Sequence, residues 1–204
     1  MTPTTPAAGG FTVASENPVY VLGNYNTTAN DTIWSTGADD TRPHAAAAII
    51  ADSVTLLSNS WNDLNSMVPA TAPTQPSGNR NASTTYYRTA VAAGKNINLK
   101  FPTWANANPD YPYSTDGGVG NFLRFMESWS GVTLNYQGSM VSLYYSTYNT
   151  GIFKCCTYSV YRPPVRHYVF DPDFATPSGL PPGTPMFRDV DSLSYRQYYT
   201  PRAQ

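Results

Sequence analysis

Charged residues are scarce in this 204-residue chain: only 12% are Asp, Glu, Lys or Arg, about half the share usual in a soluble domain. Glutamate occurs twice, lysine three times and leucine ten times, and these residues fill the surfaces and faces of most helices. Their scarcity argues against a helical bundle. The net charge is −1, so no field of one sign favours nucleic acid or an anionic membrane surface.

Long apolar runs and cysteines are also few. No run approaches the roughly 20 residues needed to span a bilayer, and the first ten residues, with no secretory signal, predict a linker. The two cysteines, Cys155 and Cys156, are adjacent, so they cannot by themselves form a multi-disulfide framework or a zinc site. Three states stay open for them: free thiols on opposite strand faces, a vicinal disulfide, and intermolecular pairing.

The abundant residues are asparagine (16), threonine (24), serine (18), proline (18) and tyrosine (16). They are typical of strands and turns. Hydrophobic residues make up 41% of the chain, which is enough for one substantial core at this length.

Four segments share one form: a short apolar strand, a turn residue and often a second strand. They cover residues 18–25, 48–58, 89–101 and 133–145, and aligning Gly23, Asp52, Gly94 and Gly138 gives spacings of 29, 42 and 44 residues. Such bent strand pairs bury an apolar column only by stacking. The pattern predicts a mainly β fold, a parallel β-helix or β-solenoid with irregular loops, with an antiparallel β-sandwich as the alternative. The predicted core comprises Val19, Val21, Ile49, Val54, Leu56, Val91, Ile97, Leu99, Leu134, Val141 and Leu143.

Three regions are predicted along the chain. After the linker (residues 1–10), residues 11–160 form the solenoid-like body, and residues 161–204 form a Pro-, Arg- and Tyr-rich wrap of the same domain. Within the body, Phe122, Phe125, Met126 and Trp129 recur at helical spacing. Residues 121–129 are therefore predicted to form a short helix that caps the stacked core.

No catalytic constellation emerges from the sequence. The two histidines, His44 and His167, lie in no Gly-x-Ser-x-Gly or His-Glu-x-x-His motif, and both are interpreted as surface or packing residues. The paired carboxylates are Asp39/Asp40, Asp171/Asp173 and Asp189/Asp191. The first two pairs favour turns, and Asp189 and Asp191 are expected to pair with Arg188 or Arg196 nearby. An ordered calcium at one of these pairs is the alternative. No catalytic, cofactor or metal residue is therefore predicted.

Tyrosines crowd the last third of the chain. Those predicted to form an interface are Tyr144, Tyr145, Tyr148, Tyr158, Tyr161, Tyr198 and Tyr199. Exposed tyrosine rings stack on sugars or serve at protein interfaces, whereas core or ladder packing is the alternative. A tyrosine-rich surface with little charge also favours self-association.

Several segments, in order along nearly the whole chain, resemble the C-terminal ectodomain of PilX-type, minor-pilin-like pilus-assembly proteins. They are residues 18–26 (PVYVLGNYN), 48–63 (AIIADSVTLLSNSWND), 122–129 (FLRFMESW), 134–141 (LNYQGSMV) and 181–189 (PPGTPMFRD). In that family a pilin-like hydrophobic helix precedes this region, so the resemblance implies an isolated ectodomain. It implies a structural or adhesive role at the cell surface and brings no catalytic residue.

Taken with the composition, this resemblance implies a non-enzymatic, extracellular, structural or adhesive domain of a bacterial type IV pilus-like assembly. Its expected partners are other protein subunits, including copies of itself, or carbohydrate, without nucleic acid and without membrane insertion. The alternatives are a self-assembling extracellular filament subunit and a carbohydrate-binding or carbohydrate-cleaving β-helix protein.

Overall fold

The computed structural model describes residues 9–27, 44–66, 80–95, 97–98, 114–115, 122–149, 161–186 and 194. Within these ranges the chain is mainly β, its larger sheets are parallel, and no helix exceeds four residues. The strands are β1 (Phe11–Ser15), β2 (Val19–Leu22), β3 (Ala47–Ala51), β4 (Val54–Leu57), β5 (Thr85–Arg88), β6 (Ala90–Ala93), β7 (Ile97–Asn98), β8 (Ser114–Thr115), β9 (Arg124–Phe125), β10 (Thr133–Gly138), β11 (Met140–Val141) and β12 (Val165–Phe170). Among the described residues, the α-helical turn is α1 (Asp63–Ser66), and two 3-10 turns cover Pro172–Ala175 and Pro177–Gly179.

Three parallel sheets contain ten of these strands. Sheet A has the order β1-β3-β6-β11, sheet B the order β2-β4-β9, and sheet C the order β5-β10-β12. The strands β7 and β8 form a separate antiparallel pair. The chain visits the three sheets in a repeating order. The strands β1 and β2 lie in sheets A and B, and β3, β4 and β5 lie in sheets A, B and C. The strands β6, β9 and β10 repeat the order A, B and C, and β11 then returns to sheet A.

One hydrophobic core receives side chains from all three sheets. Ile49 pairs with Val91 in sheet A, and Leu56 pairs with Phe125 in sheet B. All four side chains are almost completely buried. In sheet A the neighbouring side chains turn outward, as in Ile50 of β3, which is 42% exposed, whereas every residue of β4 is buried. This inward–outward alternation is the period of two expected for half-buried strands.

A column of tyrosines runs through sheet C. Tyr25 forms a parallel bridge with Tyr87, Tyr87 pairs with Tyr136, and Tyr136 pairs with Tyr168. Tyr87 and Tyr136 are fully buried, and the other two pack against the core. The rings of Tyr136 and Tyr168 meet edge to face at 5.7 Å, a favoured geometry for aromatic pairs. We call these four residues the tyrosine column. It corresponds to the core or ladder packing that the sequence analysis gave as the alternative role for tyrosines.

The predicted corner alignment is correct for one pair of residues. Gly94 donates its N–H to the carbonyl of Asp52 at 3.0 Å, so Asp52 and Gly94 lie one above the other, 42 residues apart. Gly23 instead follows β2 of sheet B, and Gly138 ends β10 of sheet C, so these two glycines belong to other corners. Gly138 is needed where it lies, because a Cβ there would lie 1.9 Å from the carbonyl oxygen of Thr89.

The predicted capping helix over residues 121–129 is wrong. In its described part, residues 122–129, the chain is extended and includes β9. The buried side chains are Phe122, Leu123, Phe125, Glu127 and Trp129, which from residue 123 onward repeat every second residue as in a strand. The glutamate at 127 conceals this period, because a charged residue is not expected inside the core.

Two predicted core residues are also wrong. Val141 is 40% exposed and Leu143 is 84% exposed. In β11 it is Met140 that pairs with core residue Val91 and packs inward, and Val141 therefore points outward. Val21, Ile49, Val54, Leu56, Val91 and Leu134 are buried as predicted, and Val19 packs against the core. Leu99 and the side chain of Ile97 lie outside the described residues.

The C-terminal segment first forms an edge strand and then returns along the body. The strand β12 pairs with β10, so residues 165–170 continue sheet C. Beyond it, the hydroxyl of Thr12 donates to the carbonyl of Pro182 at 2.6 Å. Gly10 lies so close to Pro182 that a Cβ would be 2.5 Å from its ring. The segment therefore runs back from the last strand to the first.

Candidate interaction surface

A loop after β11 presents three of the predicted interface tyrosines. We call residues 142–149 the tyrosine loop. Tyr145 and Tyr148 are 57% and 58% exposed, and Tyr144 is 40% exposed. Together with Leu143 they form a surface of exposed ring and apolar side chains without a charged residue in the loop. Aromatic side chains in such a position offer much contact area at little entropic cost.

The backbone of the tyrosine loop is fixed by Asp52, the corner residue between β3 and β4. The Asp52 carboxylate accepts hydrogen bonds from the Ser146 hydroxyl and the Thr147 N–H, both at 2.5 Å, and from the Tyr148 N–H at 3.3 Å. The side-chain amide of Asn149 also donates to the Ser53 hydroxyl. Because Asp52 is only 7% exposed, water weakens these bonds to its carboxylate little.

The side chain of Tyr144 is fixed through its hydroxyl group. Its hydroxyl donates to the carbonyl of Ala51 at 2.7 Å, with the Ala92 carbonyl 3.2 Å away. Burial raises the pKa of Tyr144, and the negative charge of Asp52 raises it further. The phenol therefore stays protonated as a donor. Tyr144 lies against the body, whereas Tyr145 and Tyr148 point to solvent.

Gly94 lies between Asp52 and Ser146. A Cβ on Gly94 would come within 2.6 Å of both the Asp52 carbonyl oxygen and the Ser146 backbone nitrogen. Lys95, the next residue, forms a parallel bridge with Tyr145. The absent side chain at residue 94 thus allows the Asp52 corner and the tyrosine loop to approach each other. The sequence indicated Asp52 and Gly94 as corner residues but not Ser146, which lies 94 positions beyond Asp52.

The remaining predicted interface tyrosines are not part of this surface. Tyr161 is only 9% exposed and packs against Phe125 with ring centroids 5.6 Å apart, so its prediction as an interface residue is wrong. It lies next to Arg162, which bridges to Ser128 beside the core residue Trp129, and this pairing draws its ring inward. Tyr158, Tyr198 and Tyr199 lie outside the described residues, as do Cys155 and Cys156.

A second polar cluster joins the start of β3 to the C-terminal segment. The Nε2 atom of His44 lies 2.6 Å from Asp171 Oδ2, and its Nδ1 atom lies 3.6 Å from Asp173 Oδ2. His44 is buried as a packing residue and Asp171 is fully buried. Asp171 also caps the following 3-10 turn by accepting from the Asp173 N–H, which agrees with the predicted turn.

The donor set of this cluster is one imidazole and two carboxylates, with one ligand atom from each within 4.8 Å of the others. Imidazole suits divalent transition ions, whereas calcium takes oxygen ligands. The described contacts connect residues 127 positions apart, so the cluster fastens the C-terminal segment to the body. The other predicted carboxylate pairs, Asp39/Asp40 and Asp189/Asp191, lie outside the described residues.

A third polar group, Glu127, lies inside the core. Its carboxylate accepts hydrogen bonds from the Ser58 N–H and the Ser58 hydroxyl, each at 2.6 Å. Burial raises the pKa of Glu127, whereas the two bonds from Ser58 lower it and offset part of that effect. Ser58 directly follows β4 and Glu127 lies just after β9, so these two hydrogen bonds join the two segments inside the core. The sequence signal for this residue was faint: one of only two glutamates, within an apolar run.

His167, the second histidine, lies on β12 opposite Asn135 of β10. Its Nδ1 atom is 3.0 Å from the Asn135 side-chain oxygen. This contact joins the edge strand to its neighbour and is a packing role, as predicted.

No helix in the described part of the chain is long and apolar enough to cross a membrane.

Comparisons with protein-family models, with curated proteins and with solved structures found no match for this chain.

Proposed function

We propose that this chain is a non-enzymatic, extracellular domain that acts as a structural or adhesive component of a bacterial pilus-type surface assembly. The observation that carries the proposal is the tyrosine loop, in which Tyr145 and Tyr148 stay exposed while Asp52 fixes the backbone beneath them. Fixed, exposed rings on a surface of low charge favour contact with another surface.

The proposed architecture is a parallel β-helix. Three features favour it over an antiparallel sandwich: the parallel pairing in sheets A, B and C, the repeated passage of the chain through them in that order, and the tyrosine column. In such a coil each layer buries its apolar face only against its neighbours. The insertions of different length between the strands leave the stacking intact, because they depart at the corners.

The test is adhesion of cells that display the chain. A laboratory bacterium displaying the wild-type chain should adhere to neighbouring cells and to protein-coated surfaces. We expect the double variant Tyr145→Ser with Tyr148→Ser to adhere at least tenfold less than the wild type, because its exposed rings are removed. The matched control, Tyr145→Phe with Tyr148→Phe, keeps the rings and should retain most of the adhesion. Equal adhesion of the Ser and Phe variants would contradict the proposal.

The carbohydrate alternative is tested with the same proteins. Tyrosine rings also stack on sugar rings, so the purified chain is incubated with a panel of polysaccharides. We expect no release of reducing or unsaturated ends. Product release that depends on the protein, or binding to a polysaccharide without adhesion to protein-coated surfaces, would replace the proposed role by the carbohydrate one.

A further inference from the structure

Within the described part of the chain, no further strand pairs with the two ends of the stacked strands, although Pro182 contacts Gly10 and the Thr12 side chain at the first end. The strand β1 lies at one edge of sheet A and β11 at the other, while β12 ends sheet C. In β1, Phe11 donates its N–H to Ala46 of the neighbouring segment. Because backbone direction alternates along a strand, the N–H and C=O groups of Thr12 and Ala14 point away from β3. Such groups are a template for another strand.

Exposed apolar side chains concentrate at the same two ends. Ten of the thirteen large apolar side chains that are exposed in the described part belong to the first or last strands and the loop beside them. At the first end these are Phe11, Tyr20 and Leu22; at the last end they are Val141, Leu143, Tyr144, Tyr145, Tyr148, Val165 and Phe170. Large apolar groups gathered in this way mark an interaction site.

The occupant that fits both ends is a second copy of this chain. Because all pairing at the two ends is parallel, the end strands run in the same direction. The strands β11 and β12 of one copy can therefore pair in parallel with β1 and the Tyr25 segment of the next copy. Tyr25 and Tyr168 are the two terminal members of the tyrosine column, and stacking continues that column across the junction. The net charge of −1 opposes such contact only weakly.

We propose that copies of this chain associate head to tail through these two ends. The inference deepens the proposed structural role and rests on the coiled architecture proposed with it. Because the two ends differ, the contact is heterologous, and unless the rotation between copies closes a ring it generates an open filament. The partner is thus this chain itself, and the surface is the pair of strand edges with the apolar side chains around them.

The first test is the size of the purified chain, by light scattering and negative-stain electron microscopy, over a concentration series. We expect growth beyond the dimer as concentration rises. Ala14→Pro removes one outward N–H and no bond to β3, so a fold that keeps its circular dichroism should associate at least tenfold more weakly. Val165→Lys places a charge on the exposed edge strand β12 at the opposite end and should have the same effect. Leu64→Ala, an exposed position in α1, is the control and should associate as the wild type does.

Mixing the two blocked variants gives the sharper readout. Ala14→Pro leaves the last end intact and Val165→Lys leaves the first end intact, so the two variants together should form a one-to-one dimer that neither forms alone. A wild-type chain that stays monomeric at millimolar concentration would overturn the inference. So would a mixture of the two variants that shows no dimer. A monomer that keeps its cell-surface adhesion would reject the head-to-tail contact while leaving the proposed function standing.

Discussion

Glu127 accepts two hydrogen bonds from Ser58 inside the apolar core, one from its N–H and one from its hydroxyl, each at 2.6 Å. These residues are 69 positions apart, and they join the end of β4 to the chain that follows β9. Ser58 Oγ also accepts the N–H of Ser83 at 3.2 Å. One buried carboxylate with its serine therefore connects three separate segments of the chain.

The stability of the fold should depend on the charge of Glu127. Because burial raises its pKa above the ordinary value of 4.5, the folded state holds the proton more tightly than the unfolded chain does. The stability that the fold gains from this tighter proton binding is fully present below pH 4.5 and is lost as pH rises through the pKa of Glu127 in the folded state. We expect Glu127→Gln to gain stability relative to the wild type over that rise, measured by urea unfolding from pH 4 to 8. A difference in unfolding free energy that does not change with pH would contradict this account.

Removal of the Ser58 hydroxyl should weaken the same junction. Ser58→Ala deletes one donor to a buried carboxylate, and a hydrogen bond to a charged group contributes about 1.5–3 kcal/mol. We expect a loss of about 2 kcal/mol in urea unfolding at pH 7. The loss should shrink in the Glu127→Gln background, because the bond then lacks its charged acceptor. Ser130→Ala, at an exposed serine, is the control, and equal losses at the two serines would argue against the junction.

The predicted core can be tested at Leu56, which is fully buried between Val21 and Phe125 in sheet B. Leu56→Ala should cost about 2–5 kcal/mol, the range for a leucine removed from a packed core. Leu56→Asp should prevent folding, since it would bury an unpaired charge. The same change at exposed Leu64 should leave the thermal midpoint nearly unchanged. A folded Leu56→Asp chain would show that the strand register is wrong.

Release of the tyrosine loop should follow the loss of its carboxylate anchor. Asp52→Ala removes the acceptor for Ser146, Thr147 and Tyr148. We expect chymotrypsin, which cleaves after aromatic residues, to cut the loop at least tenfold faster while the circular dichroism of the body is kept. Glu16→Ala, at an exposed corner after β1, serves as the control. Unchanged cleavage in Asp52→Ala would show that another contact fixes the loop.

Gly94→Ala provides an independent test of the same junction. The added methyl would press on the backbones of Asp52 and Ser146, each 2.6 Å away. Since the obstructing atoms are backbone and not flexible side chains, the strands must separate. We expect faster hydrogen exchange in residues 144–149 and a lower thermal midpoint than for the wild type. Exchange as slow as in the wild type would mean that Gly94 is not the point of closest approach.

The sequence predicted those parts of the fold that depend on local patterns. The β-rich composition, the apolar strands around Ile49, Leu56 and Val91, and the stacked pair Asp52 and Gly94 all agree with the structure. The helix at 121–129 did not, because four apolar residues at helical spacing outweighed an alternation that Glu127 interrupts. A single polar residue in a buried strand is enough to hide its period.

The parts that could not be predicted depend on contacts between distant residues. Ser146 meets Asp52, and His44 meets Asp171, only because insertions of unequal length leave the strands in register. A sequence without a fixed period does not reveal that register. Gly138 was aligned with Asp52 for the same reason, although the structure places Ser146 and not Gly138 at that corner. An alignment with Gly138 at that corner counts Val141 and Leu143 as core residues, whereas both side chains are exposed.

The most direct test of the account is a cross-link between strands that the register places side by side. Ile50 of β3 pairs with Ala92 of β6, and both side chains face outward. Cysteines at these two positions should form a disulfide on mild oxidation, seen by mass spectrometry as one linked peptide, because paired residues fall within the usual Cα separation. The offset pair Ile50→Cys with Ala90→Cys should form little. A disulfide in the offset pair, or none in the matched pair of a folded chain, would contradict the stacked parallel register.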